Sequence, residues 1–163
     1  MCDSITHVEN FAFRQCKKLS NIILSENLDL YDFSHTAFYN TKYLNDMVEP
    51  LIFKNSILYV PTTIVSEYAI PSGVKSINTN AFAGRENLVK ITIPSTVIYN
   101  GVKYFVSEID WGAFEDCPNL SSVSIPHSIE KIGEYAFSSC SGLTSIFIPN
   151  SVKEINCYNL FEN

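Results

Sequence analysis

The sequence predicts a repeat solenoid of the α/β class, rich in β-structure, in which short strands stack side by side. The first observation is that the pattern of residues 120–142, LSSVSIPHSIEKIGEYAFSSCSG, starts again at once in 143–163, 23 positions later. Repetition at a fixed period of this length is typical of stacked structural units. The second is that one copy buries too little apolar surface to offset the entropy lost in ordering over twenty residues. Each copy therefore needs neighbours.

The repeating pattern is Leu-x-x-Ile-x-Ile-Pro-x-x-Val-x-x-Ile-x-x-x-Ala-Phe-x-x-Cys-x-x. Its first apolar positions predict a short strand, which proline ends because proline cannot donate to a ladder. The Val-x-x-Ile stretch predicts a second short extended piece, and residues 134–139 with their equivalents predict one helical turn. The chain holds about six and a half copies, which we number repeats 1 to 7 and which begin at Ile5, Leu19, Leu44, Val65, Leu88, Leu120 and Leu143.

Two repeats depart from the pattern in ways that predict inserted β-hairpins. In repeat 3, the β-rich runs 51–53 and 56–60 flank Lys54-Asn55. Repeat 5 carries nine extra residues, VIYNGVKYF at 97–105, with Asn100-Gly101 near their centre. Asn-Gly between β-branched and aromatic residues is a strong hairpin signal, because both positions tolerate positive φ.

The five cysteines are an odd number without a CxxC pair, which argues against a zinc site and against a complete disulfide framework. Three of them, Cys16, Cys117 and Cys140, each follow a phenylalanine of the repeat by three positions. Cysteine is often buried, so this spacing predicts small thiols filling one column of the core. The pattern leaves open whether Cys117 and Cys140 are thiols or paired.

The composition narrows the function classes. A hydrophobic content of 46% favours an ordered core, and a net charge of −6 offers no broad basic surface for nucleic acid or anionic lipid. The sequence contains neither a secretory signal nor a run long enough to cross a membrane. Because it begins and ends inside repeats, we expect one repeat domain, residues 1–163, that is a fragment of a longer array.

The segment IPHSIEKIGEYAFSSCSGLTSIFIPNSV resembles the leucine-rich repeat of the BspA type, a variant of about 23 residues. TVIYNGVKYFVSEIDWGAF is similar to the hairpin-bearing repeat of that family, and NSILYVPTTIVSEYAIPSGVKSINTNAF is similar to a shortened form of it. The resemblance covers essentially the whole chain. It implies a curved, β-rich leucine-rich-repeat solenoid with a concave parallel sheet, short helical turns on the convex side and two inserted hairpins.

The resemblance also implies a setting. The family is typical of surface and secreted proteins of host-associated anaerobes and of some parasitic protists. Some members act in adhesion, binding host matrix or plasma proteins or other bacteria. Repeat identity carries the fold, so function remains an analogy.

The first candidate binding surface is formed by the solvent-facing strand positions, two and four places after each leading residue. Solenoids usually bind through a concave strand face, although the face could instead be merely solvated. The positions are Asn21, Ile23, Asp46, Val48, Glu67, Ala69, Lys90, Thr92, Ser122, Ser124, Ser145 and Phe147.

The second candidate consists of the hairpin aromatics Tyr59, Tyr99, Tyr104 and Phe105. Aromatic rings with a polar handle are enriched at interfaces. The alternative is that these rings pack against the flank of the repeats.

Catalysis finds little support in the sequence. The histidines His7, His35 and His127 lie far apart along the repeats, and no phosphate loop or metal-ligand spacing is present. We therefore expect no cofactor, no metal and no enzymatic activity; an enzyme on a parallel β-helix would need charged residues clustered on adjacent turns. The leading hypothesis is a protein-binding module, and the alternative is a structural spacer without a ligand of its own. Because neither end carries a polar cap, residues 1–16 and 151–163 are expected to expose core edges and to favour self-association.

Overall fold

The protein was analysed as a computed structural model that describes residues 6–25, 27–28, 35–54, 56–63, 66–71, 74–99 and 102–156. The chain divides into two compact units, Met1–Glu49 and Pro50–Asn163. Each is built from consecutive repeats that stack through backbone hydrogen bonds.

The amino-terminal unit contains a 3-10 turn, His35–Phe38, and one short helix, α1, Lys42–Asn45. The Thr41 side chain caps α1 by accepting a hydrogen bond from the backbone N–H of Leu44. Repeats 1 and 2 are joined where the N–H of Phe13 donates to the carbonyl of Ala37 at 2.8 Å, and the ring of Phe13 stacks on Phe38 at 5.4 Å.

The carboxy-terminal unit contains eleven strands among its described residues. They are β1 Leu51–Phe53, β2 Ser56–Tyr59, β3 Glu67–Ala69, β4 Ser76–Ile77, β5 Lys90–Thr92, β6 Thr96–Tyr99, β7 Val102–Phe105, β8 Glu108–Ile109, β9 Ser122–Ser124, β10 Lys131–Ile132 and β11 Glu154–Ile155.

These strands form two parallel stacks, as the two extended pieces of the repeat predict. One is the three-stranded sheet β3-β5-β9, and the other is the parallel part of a six-stranded sheet in the order β1-β2-β4-β8-β10-β11. Apolar residues of successive repeats stand in register: Ile77 pairs with Ile109, and Ile109 pairs with Ile132. The predicted fold class is confirmed, because the apolar repeat positions stack inward between these sheets.

Both predicted hairpins are present as antiparallel pairs, β1-β2 and β6-β7. The turn of the second, residues 100–101, lies outside the described residues. The first hairpin is more than an insertion, since β2 also pairs in parallel with β4 and its residue Ile57 is fully buried. Strand β2 therefore supplies repeat 3's place in the six-stranded sheet, which the unusual sequence of this repeat concealed.

The segments predicted as single helical turns differ from expectation in the carboxy-terminal unit. Among its described residues they are successive hydrogen-bonded turns, and helical turns occur only at 35–38 and 42–45 of the other unit. The turn segments of repeats 1, 4, 5 and 6 each contain two left-handed residues four positions apart, directly before Ala-Phe and directly before the cysteine column. These pairs are Phe11 and Gln15, Asn80 and Gly84, Gly112 and Asp116, and Tyr135 and Ser139.

In repeats 4 and 5, the left-handed residues donate their N–H groups to carbonyls of the following repeat. Asn80 donates to the carbonyl of Trp111 at 3.0 Å, and Gly112 donates to that of Glu134 at 2.9 Å. A continued helix would have used these donors within the repeat. The turns therefore extend the ladder of hydrogen bonds between repeats beyond the strands.

Phenylalanines of the Ala-Phe pairs form the centre of the core. The rings of Phe82 and Phe114 stack at 4.9 Å, and those of Phe114 and Phe137 stack at 5.4 Å with parallel planes. All three are essentially excluded from solvent. Their equivalent in repeat 1, Phe13, is 42% exposed, so the first described repeat shows part of its core edge, as expected for 1–16.

Candidate functional site

The exposed side of the three-stranded sheet, which we call the sheet face, consists of Glu67, Ala69, Lys90, Thr92, Ser122 and Ser124. The strands are in register, so Glu67, Lys90 and Ser122 form one row, and Ala69, Thr92 and Ser124 form a second. Tyr68, Ile91 and Val123 point the other way and contribute to the core. The alternation of strand residues thus places all six predicted positions together in solvent.

The sheet face is small-featured and nearly neutral. Its one ion pair joins Lys90 Nζ to Glu67 Oε2 at 3.6 Å, and both side chains are largely exposed. An exposed pair of this kind contributes little to stability. These two charges are therefore available to a partner at small cost to the fold.

Repeat 7 adds an aromatic ring at the position equivalent to Ser124. Phe147 is 68% exposed, and its ring meets the edge of His127 from repeat 6 at 6.4 Å. The neighbouring Ile146 is partly buried against the core, while Ser145 is exposed. Phe147 is thus turned away from the core, and most of its ring is open to solvent.

The remaining members of the predicted column lie in the amino-terminal unit. Ile23 is 71% exposed and Val48 is 72% exposed, and Asn21 is exposed as well. Asp46 forms an ion pair with Lys42 of α1. Their exposure agrees with the sequence pattern, and their role in binding stays a prediction.

The hairpin aromatics divide between the two interpretations. Tyr104 is half-buried against the core, with Lys75 Nζ 3.8 Å from the centre of its ring. Tyr59 is covered by the guanidinium of Arg85 at 4.9 Å. These two rings brace the repeats, whereas Phe105 is exposed and the side chain of Tyr99 lies outside the described part of the structure.

The cysteine column is a structural feature. Cys117 and Cys140 are free, buried thiols, and each donates to the carbonyl of a core phenylalanine one repeat earlier, at 3.2 and 3.1 Å. Contact with the Cys140 thiol and burial raise the pKa of Cys117, which keeps it protonated and unreactive. Cys16 is free but exposed, contrary to the predicted buried column, because it lies in the first described repeat. Cys2 and Cys157 lie outside the described residues.

In repeat 4, Arg85 occupies the cysteine position, and the repeat pattern did not predict its role. Arg85 is buried, and it donates from Nε to the carbonyl of Val60 at 2.5 Å and from Nη1 to that of Ala83 at 2.7 Å. Burial lowers the pKa of Arg85. The guanidinium therefore ties repeats 3 and 4 together, and the two hydrogen bonds offset part of the cost of burying its charge.

Charged side chains link neighbouring repeats along the six-stranded sheet. Lys131 pairs with Glu108 at 3.0 Å, and Lys153 pairs with Glu130 at 2.9 Å. Burial raises the pKa of Asp110, against the opposing effect of its hydrogen bonds from the Trp111 backbone and the Thr79 hydroxyl. These contacts are spread along the sheet rather than gathered at a reaction centre.

No described residues form a catalytic or metal-binding constellation. Groups of three or more histidine, cysteine or acidic side chains suited to a metal are absent from the described residues. His7 and His127 lie in different units, and the side chain of His35 is not described. None of the helices in the described part of the chain is long and apolar enough to span a membrane.

Known proteins of similar structure are bacterial leucine-rich repeat proteins. A leucine-rich cell surface protein from Faecalibacterium prausnitzii is 24% identical with a TM-score of 0.63, over 98% of this chain and 43% of that one. A leucine-rich repeat protein from Bacteroides capillosus is 25% identical with a TM-score of 0.55, over 68% of this chain and 86% of that one. The pneumococcal vaccine antigen PcpA is 23% identical with a TM-score of 0.59, over 75% of this chain and 31% of that one.

This chain thus spans less than half the length of two of these proteins. The likenesses show the fold. No curated protein matches the sequence. The family profile described as the BspA type leucine rich repeat region, in six copies, matches residues 1–105 and 56–163. Together these matches cover the sequence from end to end, and the chain therefore belongs to the BspA-type leucine-rich repeat family.

Proposed function

We propose that the chain is a non-enzymatic, protein-binding module of a cell-surface or secreted adhesin-like protein. The observations that carry the proposal are the exposed sheet face, with three strands in register, and the exposed ring of Phe147 at the equivalent position of the next repeat. Aromatic anchors surrounded by near-neutral contacts are the usual anatomy of a protein interface. The family and the described surface location of a relative support the setting.

The absence of enzymatic activity is part of the proposal. Among the described cysteines, Cys117 and Cys140 are buried and bonded to core carbonyls, and the described histidines do not face an acidic or cysteine partner. Nucleophilic or acid–base chemistry needs such partners within hydrogen-bonding reach. The described residues are better suited to recognition.

Binding of the 163-residue chain to immobilised fibronectin, fibrinogen and collagen, as matrix and plasma proteins, tests the proposal by interferometry. We expect at least one to bind, and Phe147→Ser to weaken that binding about fivefold or more, as loss of an interface anchor does. Reversal of the ion pair, Glu67→Lys with Lys90→Glu, keeps the net charge and should also weaken the contact.

The matched control is Glu108→Lys with Lys131→Glu, which reverses an ion pair of similar length on the six-stranded sheet. Its binding should equal that of the unmodified chain. Binding that survives both sheet-face variants would move the site elsewhere. Failure to bind any of the three proteins would favour the structural spacer.

A further inference from the structure

Two aromatic rings from neighbouring repeats meet on a turn at the surface of the carboxy-terminal unit. The rings of Trp111 and Tyr135 lie 5.3 Å apart with an angle of 53° between their planes. Trp111 is 38% exposed and Tyr135 is half-buried. We call this pair, with Asp110 and Glu134, the aromatic corner; none of its members belongs to the sheet face.

The position of the rings follows from the repeat. Trp111 occupies the place held by Thr79 in repeat 4 and by Glu134 in repeat 6. Tyr135 occupies the place held by Asn80 and by Gly112, which has no side chain. With glycine beneath it, the Tyr135 ring can lean toward Trp111. Both rings therefore lie outside the buried phenylalanine stack, and the core does not require them.

Each ring of the aromatic corner carries one hydrogen-bonding group. Within the described part of the chain, neither the indole N–H of Trp111 nor the hydroxyl of Tyr135 makes a hydrogen bond. Such groups on half-exposed rings are enriched where proteins meet other molecules.

The charge around the rings is negative. Asp110 precedes Trp111 and fixes its backbone by accepting from its N–H at 2.8 Å. Glu134 holds the position of Trp111 in the next repeat. Its carboxylate makes no ion pair with any described residue. Lys131 is the described cation that acts on Asp110, and Glu108 already engages it at 3.0 Å. The corner thus offers aromatic faces and acceptor oxygens without a spare cation.

We propose that the aromatic corner binds an arginine-bearing segment of a protein partner. A guanidinium can stack on an aromatic face and, in the same pose, donate two parallel hydrogen bonds to a carboxylate. Glu134 supplies that carboxylate and Trp111 supplies the face. Lysine, a compact and strongly hydrated charge, fits this combination less well.

The single tryptophan of the chain gives the proposal a direct reporter, since all tryptophan fluorescence comes from Trp111. Titration of the 163-residue chain with a hexa-arginine peptide should change that fluorescence to saturation. Hexacitrulline, which has nearly the same shape without the charge, should change it little, and hexalysine should bind more weakly than hexa-arginine. Equal effects of hexacitrulline and hexa-arginine would overturn the proposal.

Substitutions taken from the chain's own repeats remove the rings with little risk to the fold. Trp111→Thr copies Thr79, and Tyr135→Asn copies Asn80, which adopts the same left-handed backbone. Each should weaken binding of fluorescein-labelled hexa-arginine, measured by anisotropy, about two- to fivefold. Both substitutions leave the net charge of the protein unchanged. A loss of affinity would therefore come from the missing ring contacts and not from weaker general attraction of the peptide to an acidic protein. Glu134→Gln should weaken binding by a similar factor.

The matched control is Phe105→Ala, which removes an exposed ring that lies under the cation of Lys103. Its affinity for the peptide should be unchanged. Wild-type affinity in the Trp111→Thr, Tyr135→Asn double variant would overturn the proposal. A fluorescence change with maltohexaose and none with the peptides would assign the corner to glycans instead. The sheet-face variants leave this assay untouched, so the two proposals fail independently.

Discussion

Several residues in the turns adopt the left-handed backbone conformation, which is unfavourable for residues with a side chain. Left-handed backbone costs a residue with a side chain about 1–2 kcal/mol, yet bulky Phe11 and Tyr135 adopt it. At Asp116, whose backbone is also left-handed, the benefit is that an N–H which a helix would have used within the repeat instead donates to a carbonyl of the next repeat. Where the sequence supplies glycine, as at Gly84 and Gly112, that cost is avoided.

Two alanine substitutions separate this backbone cost from packing. Gly84→Ala places a methyl group in open space, so it should cost about 1 kcal/mol through its backbone alone. Gly112→Ala would bring the new carbon to 2.3 Å from Asn80 Oδ1, and we expect a cost of about 2–4 kcal/mol. Urea unfolding followed by Trp111 fluorescence measures both.

The ratio between the two substitutions is the informative quantity. Equal free energies of unfolding for Gly84→Ala and the unmodified chain would show that this turn tolerates side chains freely. A Gly112→Ala variant no less stable than Gly84→Ala would mean that Asn80 moves aside without cost.

The two hairpins differ as structural elements, although the sequence presents both as insertions. Strands β6 and β7 form a sheet of their own, and the parallel register of Lys90 with Ser122 passes over them unchanged. Strand β2, in contrast, holds a place in the six-stranded sheet beside β4. The β6-β7 hairpin is therefore an insertion, whereas the β1-β2 hairpin is part of the six-stranded sheet.

Deletion of residues 97–105 therefore restores the 23-residue spacing and should leave the fold intact. We expect an unchanged far-UV circular dichroism band shape and a loss of about 1–3 kcal/mol, chiefly from the half-buried Tyr104. Ile57→Ala in β2 should cost about 2–5 kcal/mol, although it removes far fewer atoms. If the deletion cost more than Ile57→Ala in thermal or urea unfolding, the hairpin would be an integral element after all.

The sequence predicted the elements whose side chains alternate between core and solvent. Ile77, Ile109 and Ile132 pair in adjacent strands, as the repeat spacing predicts. The prediction succeeds because the apolar positions of the repeat are the ones that are buried. The exposed members of the sheet face follow from the same alternation. The turns were missed because residue types such as Gln15 and Tyr135 do not signal left-handed backbone. At Gln15 this backbone accompanies an N–H that donates to the next repeat, a contact that the sequence does not show. The role of β2 was missed because LIFKNSILYVP lacks the repeat's usual spacing.

For the candidate sites, the sequence could name residue types but not neighbours. It placed Lys90 and Glu67 on one face, and the structure shows them paired. It gave no indication that Trp111 and Tyr135 meet, since they are 24 positions apart and do not belong to the repeat pattern. Contacts between non-repeating side chains depend on the angle of each turn, which a single sequence does not reveal.

Across the whole molecule, each described repeat depends on the repeats beside it. In the carboxy-terminal unit, Phe114 stacks on both Phe82 and Phe137. In the amino-terminal unit, Phe13 stacks on Phe38, its one ring neighbour among the described residues, and remains partly exposed. Stability in such arrays is approximately a sum of repeat and nearest-neighbour contributions.

The position of a phenylalanine in its stack should therefore set the cost of removing it. Phe114→Ala should cost about 3–5 kcal/mol, and Phe13→Ala, which starts half in solvent, should cost about 1 kcal/mol. Urea unfolding followed by far-UV circular dichroism measures both. Should Phe114→Ala fail to fold, Phe114→Leu, the residue of the equivalent position 160, provides the comparison. Similar costs at the two positions would contradict a nearest-neighbour ladder.

The repeated N–H and carbonyl pattern of the turns has a consequence at the level of the gene. The turns of repeats 4 and 5 donate from equivalent N–H groups to equivalent carbonyls of the repeat that follows. Unequal recombination between two copies of the coding sequence would therefore join surfaces that already fit. Lineages can lengthen or shorten such an array in one genetic event, and selection is then left to act on the exposed residues alone.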